Sequence, residues 1–153
     1  RQRQMCIRDR VIWQTGKYYE REMQAFLAAH PAANIWQGAF IDRMDYAYAA
    51  ADLVLSRSGA GTVSELCLVA KPVLFVPSPN VAEDHQTKNA KALEAKGAAV
   101  VVPDAEARTA AMRRAMELLS DKEALRTMSE NLEKLARPDA AERIVDEIEK
   151  VMK

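Results

Sequence analysis

Cysteine, histidine and net charge are what this sequence has least of. Its 2 cysteines, Cys6 and Cys67, fit no metal-ligand or redox spacing such as C-x-x-C, and a reducing cytoplasm suits them. With only 2 histidines, His30 and His85, a multi-histidine metal centre is excluded. Lysine plus arginine number 22 and aspartate plus glutamate 22, so the formal charge is zero. A surface built to neutralise many nucleic-acid phosphates would need a basic excess, so no nucleic-acid partner is expected. No apolar run approaches the roughly 20 residues of a membrane-spanning helix, which leaves only peripheral membrane contact. What is present is an ordinary globular composition, 49% hydrophobic and 29% charged. At 153 residues the chain has room for one domain with a real core and not for two enzymatic domains.

Residues 1–10 show neither a helical nor a strand period and run straight into a strand pattern. Two readings stand for them, a mobile basic leader or a non-native junction, and both leave them outside the fold. From Val11 onward, short apolar runs alternate with amphipathic ones. Strands are predicted at Val11–Trp13, Asn34–Gln37, Leu53–Leu55, Pro72–Val76 and Ala98–Val102. Helices are predicted between them: Tyr19–His30 with Met23, Phe26 and Leu27 on its buried face, Met44–Ala51, about Thr62–Val69, and His85–Lys96. Alternation of this kind implies parallel pairing through right-handed crossovers, hence an α/β, Rossmann-like parallel sheet with helices on both faces, over residues 11–104.

After Pro103 the pattern is helical only, and residues 105–153 read as a helical tail packed on the domain. Leu125, Met128, Leu132 and Leu135 follow a 3-4-3 spacing. Ser120 with Glu123, and Asp139 with Glu142, carry capping-box signatures. Ile144, Val145, Ile148, Val151 and Met152 form one apolar stripe. Its expected cover is this same domain, the alternative being a neighbouring one.

The segment Arg57, Ser58, Gly59, Ala60, Gly61, Thr62 lies between a strand and a helix, where a glycine turn lets successive N–H groups converge on an anion. The competing reading is a plain tight turn that caps the helix. No Gly-Lys-Ser/Thr ending follows, so the loop is not a Walker loop. Serine at position 64 breaks the dinucleotide fingerprint, and the strand ending Val76-Pro77-Ser78 lacks the acid that would bind an NAD ribose. A mononucleotide or sugar nucleotide remains. Glu65 is either the acid of a Thr62-x-x-Glu65 capping box or a bidentate acceptor for two ribose hydroxyls. Asp84, before the His85-Gln86 pair, is either an N-cap or part of a second ligand loop on the same strand-end rim.

Four ordered strings, Phe40-Ile-Asp-Arg-Met44, Ser56-Arg-Ser-Gly-Ala-Gly-Thr-Val-Ser-Glu65, Lys71-Pro-Val-Leu-Phe-Val-Pro77 and Asp84-His-Gln-Thr-Lys-Asn-Ala90, carry a family likeness. Together they resemble the carboxyl-terminal domain of the peptidoglycan glycosyltransferases that add N-acetylglucosamine to lipid I, making lipid II. The resemblance implies the donor-binding half of a two-domain GT-B enzyme. It places backbone groups of Ile41 on the uracil of UDP-N-acetylglucosamine with Met44 packed nearby. Arg57 to Thr62 would lie on the diphosphate, Glu65 on the ribose, and His85 and Gln86 on the sugar hydroxyls. His85 stands where some members have glutamine.

By the same resemblance the first βα unit and its Gly-Gly-Ser loop are missing here, as is the acceptor domain with its membrane-docking patch and base. No catalytic residue, metal or cofactor is therefore expected in this chain, and it should not transfer sugar alone. Lipid I and the inner face of the bacterial plasma membrane would be met through the missing domain, in the cytoplasm. Two other classes stay open: a UDP-sugar epimerase of the same fold, which the first and last strings fit poorly, and a non-catalytic binding module.

Overall fold

The computed structural model describes residues 10–152. They fall into two compact units that divide between Ala50 and Ala51. The leader assigned to residues 1–10 lies outside the described residues except for Arg10.

The first unit runs β1 (Val11–Gln14), α1 (Gly16–Ala29), β2 (Ile35–Gly38) and α2 (Met44–Ala50). The two strands pair in parallel, Ile12 opposite Trp36. Side chains alternate between faces along a strand, and that cross-strand pair is 47% and 50% exposed while Val11 and Trp13 are half-buried. Met23 and Leu27 of α1 are half-buried as expected, but Phe26 is exposed and stacks on His30 instead. A pair of strands with two helices offers too little surface for full burial, and α1 and α2 bury no residue.

The second unit runs β3 (Val54–Ser56), α3 (Ala60–Val69), β4 (Val73–Phe75), a 3₁₀ turn (Ala82–Asp84), α4 (His85–Glu94), β5 (Val100–Val101), a second 3₁₀ turn (Asp104–Glu106), α5 (Ala107–Leu119), α6 (Lys122–Glu133) and α7 (Ala140–Val151). Its parallel sheet has the order β3-β4-β5. Val73, Leu74 and Phe75 alternate between faces, yet all three are fully buried, so the central strand is covered on both sides. Leu66, Leu93, Leu118, Met128 and Leu132, from α3 to α6, supply the cover. α6 is pinned as well as packed: Val73 N–H meets Met128 Sδ at 3.2 Å, and Ser129 Oγ donates to the Ala70 carbonyl at 2.6 Å.

The described strands form two parallel sheets, a pair and a triplet, where one was expected.

Two details of the tail differ from expectation. The N-cap of α6 is Asp121, not Ser120: Asp121 Oδ1 accepts from Ala124 N–H at 3.0 Å, while Ser120 Oγ turns back to the Met116 carbonyl. The α7 stripe does not cover its own unit, since Ile144, Val145 and Ile148 are 53% to 61% exposed and Val151 and Met152 more so. Asp139 precedes α7 without a side-chain cap bond.

Candidate functional site

The register of the second sheet sets Ser56, Phe75 and Val101 side by side. The chain therefore leaves all three strands at one level, and the loops that follow share a rim. Main-chain bonds seal that level, from Val76 N–H to the Ser56 carbonyl and from Val102 N–H to the Phe75 carbonyl, each at 2.9 Å.

After β3, Arg57 and Ser58 lead to Gly59, which is extended at φ −63° and ψ 151° and caps α3. The first bond into the helix is donated by Val63 N–H to the Gly59 carbonyl at 3.0 Å. The amides of Ala60, Gly61 and Thr62 thus have no acceptor within the helix, and the macrodipole adds partial positive charge at the same end. The helix begins at Ala60, not near Thr62, because Thr62 is already inside its first turn. Thr62 is therefore not the N-cap residue, and Glu65 lies exposed on the following turn. Gly59 needs no glycine on internal grounds: its φ is ordinary, and a Cβ there would meet nothing within 4 Å.

Behind this loop is a hydrogen-bond network. Ser58 is completely buried; its hydroxyl donates to the Gln86 carbonyl at 2.8 Å, and its own carbonyl accepts from Asn89 Nδ2 at 3.2 Å. Gln86 Oε1 accepts from Ser78 N–H at 2.9 Å, so the loop after β4 is tied to the start of α4. His85 Nδ1 lies 2.8 Å from the Ala82 carbonyl. A carbonyl only accepts, so Nδ1 is the donor of this contact. Asp84 is the N-cap residue of α4 but its side chain makes no cap bond; with Glu83 it occupies the left-handed region, both at φ 53°. Neither residue is glycine, so this turn is a strained approach to the helix.

Arg57 is turned along the rim. Its Nη1 donates to the carbonyls of Val76 and Pro77, at 3.0 and 3.2 Å, and to Asp104. Ser78 and Asp104 join the rim through these contacts, and no motif in the sequence marks either of them. Asp104 follows Pro103 directly after the last strand, a position on this same rim that would have flagged it.

Ile41 and Met44 belong to the first unit, and Arg57 to Thr62, Glu65, His85 and Gln86 to the second. Ile41 N–H already donates to Gln14 Oε1 at 2.9 Å. Met44 opens α2 and is half-buried. Beside them Arg43 donates to both carboxylate oxygens of Asp45, at 3.0 and 2.7 Å, and lies 3.8 Å from the centre of the Tyr46 ring. That guanidinium holds the Asp45 carboxyl below its usual range.

The profile of the glycosyltransferase family 28 C-terminal domain matches residues 2–144. The chain belongs to this family. The match takes in most of residues 1–10, the segment expected to lie outside the fold. Among relatives of this family 28 domain, a UDP-N-acetylglucosamine–N-acetylmuramyl-(pentapeptide) pyrophosphoryl-undecaprenol N-acetylglucosamine transferase of Parabacteroides distasonis is 54% identical over 142 residues, 93% of this chain and 39% of the relative. The enzyme of the same name from Porphyromonas gingivalis strain W83 is 52% identical over 93% of this chain and 38% of its own length. The crystal structure of Acinetobacter baumannii MurG superimposes with a TM-score of 0.79 at 34% identity, covering 92% of this chain and 41% of that one. The chain thus spans about two fifths of the relatives it matches. Glycosyltransferase VinC, solved in complex with DTDP, shares the fold at a TM-score of 0.63 and 16% identity. Among the described residues no helix is long and apolar enough to cross a membrane.

Proposed function

We propose that this family 28 domain is the donor side of a glycosyltransferase that moves N-acetylglucosamine from UDP-N-acetylglucosamine to lipid I, giving lipid II. The observation that carries the reading is the Gly59 cap. Three successive amides, Ala60 to Thr62, lack helical acceptors at a strand-end rim, and open space stands over a glycine that internal packing does not require. The names of the relatives supply the sugar nucleotide.

In this reading the diphosphate sits on those amides with Arg57 beside it, and Glu65 accepts from the two ribose hydroxyls. The sugar hydroxyls meet Nε2 of His85 and the NH₂ end of Gln86, whose oxygen is committed to Ser78. Ile41, whose N–H is engaged by Gln14, and Met44 lie in the first unit, and this site is assigned from the second unit alone. No metal or cofactor is assigned.

During transfer the 4-hydroxyl of the muramyl sugar attacks C1 as the C1–O bond to UDP breaks, inverting the anomeric centre. Charge grows on the leaving diphosphate, so amides already aimed at it stabilise the transition state more than the ground state. On an exposed helix end such donors contribute only about 0.3–1 kcal/mol, and exclusion of water raises that figure. The acceptor lipid, contact with the inner face of the plasma membrane and the base that takes the hydroxyl proton are assigned to the part of the relatives that this chain does not span. Calorimetric titration with UDP and UDP-N-acetylglucosamine tests the donor assignment. Heat release that Glu65→Ala abolishes supports it, and silence from both ligands at millimolar concentration contradicts it.

A further inference from the structure

Arg57 and Asp104 lie 47 residues apart and meet across the carboxyl edge of the β3-β4-β5 sheet. The strand register explains the meeting. Arg57 leaves β3 at the level where Val76 and Pro77 leave β4, and Asp104 opens the turn after β5, so the arginine side chain spans the edge from the first strand to the third. Nη1 alone makes the contacts, 2.5 Å from Asp104 Oδ1, 3.0 Å from the Val76 carbonyl and 3.2 Å from the Pro77 carbonyl. One nitrogen carries two hydrogens, so three acceptors share them at this corner of the guanidinium.

The guanidinium is a planar fork of five N–H groups, and holding one corner removes much of its rotational freedom while leaving Nε and Nη2 on the other edge. Two carbonyls and a carboxylate together select a cation at that place. The pair contributes little to folding, because the two side chains are 54% and 36% exposed. Its position matters more, since Arg57 stands two residues before the cap of α3.

We infer that Asp104 is a positioning residue for the nucleotide site: with the Val76 and Pro77 carbonyls, it holds Arg57 on the rim so that the opposite edge of the guanidinium faces the diphosphate at the start of α3. This rests on the reading of that loop as a uridine diphosphate cradle. An unanchored Arg57 would sample many rotamers and lose the pre-organisation that makes a bidentate contact with phosphate effective.

The test is an NMR titration of the full chain with UDP and, separately, with uridine, which lacks the phosphates. Wild type, Asp104→Asn, Asp104→Glu, Arg57→Gln and the double variant Arg57→Gln/Asp104→Asn are compared. Asp104→Asn is expected to weaken UDP about fivefold, the scale of one lost charge-assisted contact, with uridine affinity unchanged. Asp104→Glu should recover most of the loss, and Asp104→Asn should add nothing once Arg57 is glutamine. Unchanged or tighter UDP binding in Asp104→Asn, or an equal loss for uridine, overturns the positioning role while the cradle stands. A wild-type chain that binds neither ligand overturns the cradle and this inference together.

Discussion

The buried hydroxyl of Ser58 donates to the main-chain carbonyl of Gln86 across 2.8 Å, joining the loop after β3 to the first turn of α4. Asn89 returns the tie to the Ser58 carbonyl, and the Gln86 side chain extends it to Ser78. Two loops distant in sequence are thereby locked into one rim, and the α3 amides stand at its front.

Ser58→Ala tests the lock. The hydroxyl is lost from a fully buried position without change of backbone, so the expected cost is about 1–2 kcal/mol, the scale of one removed hydrogen bond. Denaturant midpoints of the two proteins measure it, and UDP affinity should fall with the stability of the rim.

Gly59→Ala separates binding from folding. The added Cβ meets no atom and the backbone angles suit alanine, so the stability change should stay within about 1 kcal/mol, a small cap penalty set against the reduced entropy of the unfolded chain. UDP affinity should nonetheless drop at least about tenfold, because the methyl group occupies the approach to the amides. Paired thermal melts and titrations decide the matter; equal affinity would mean that the glycine is incidental.

Much of this arrangement is legible in the residues themselves. The order of strands and helices follows from apolar runs that switch period, and the rim follows from parallel order alone. The boundaries are less legible. Thr62-x-x-Glu65 looks like a cap, but Gly59 wins the N-cap position because its extended backbone turns the chain into α3 three residues earlier. Ser120 loses to Asp121, whose shorter path to Ala124 N–H completes the cap of α6. The division into two sheets depends on strand order, which no local pattern encodes, and the Arg57–Asp104 contact depends on the register of three strands. The α7 stripe has helical spacing whether or not anything covers it.

Two substitutions distinguish α6 from α7. Leu132→Ala removes a completely buried side chain and should cost about 2–5 kcal/mol. Ile148→Lys alters a side chain that is 53% exposed, and its effect should stay within about 0.5 kcal/mol. Urea denaturation of both variants provides the comparison, and a large loss from Ile148→Lys would show that the stripe is covered in solution.

Cys67 reports on the core of the second unit. Burial pushes its thiol up, with only a partial counter-effect from Lys96, and its side chain is 5% exposed. Thiolate is the reactive form, so a Cys6→Ser variant should react slowly with a disulfide reagent near pH 8 and quickly once unfolded. Fast reaction in native buffer would indicate that α3 is not packed as described.

In the proposed site the diphosphate is held first by the backbone amides of Ala60, Gly61 and Thr62. In a ¹⁵N–¹H titration of the whole chain with UDP, saturable shifts are expected at these three amides, absent with uridine and moved to at least about tenfold higher UDP concentration by Gly59→Ala. Amides that stay still while UDP binds elsewhere, or that do not respond at millimolar ligand, would contradict that site.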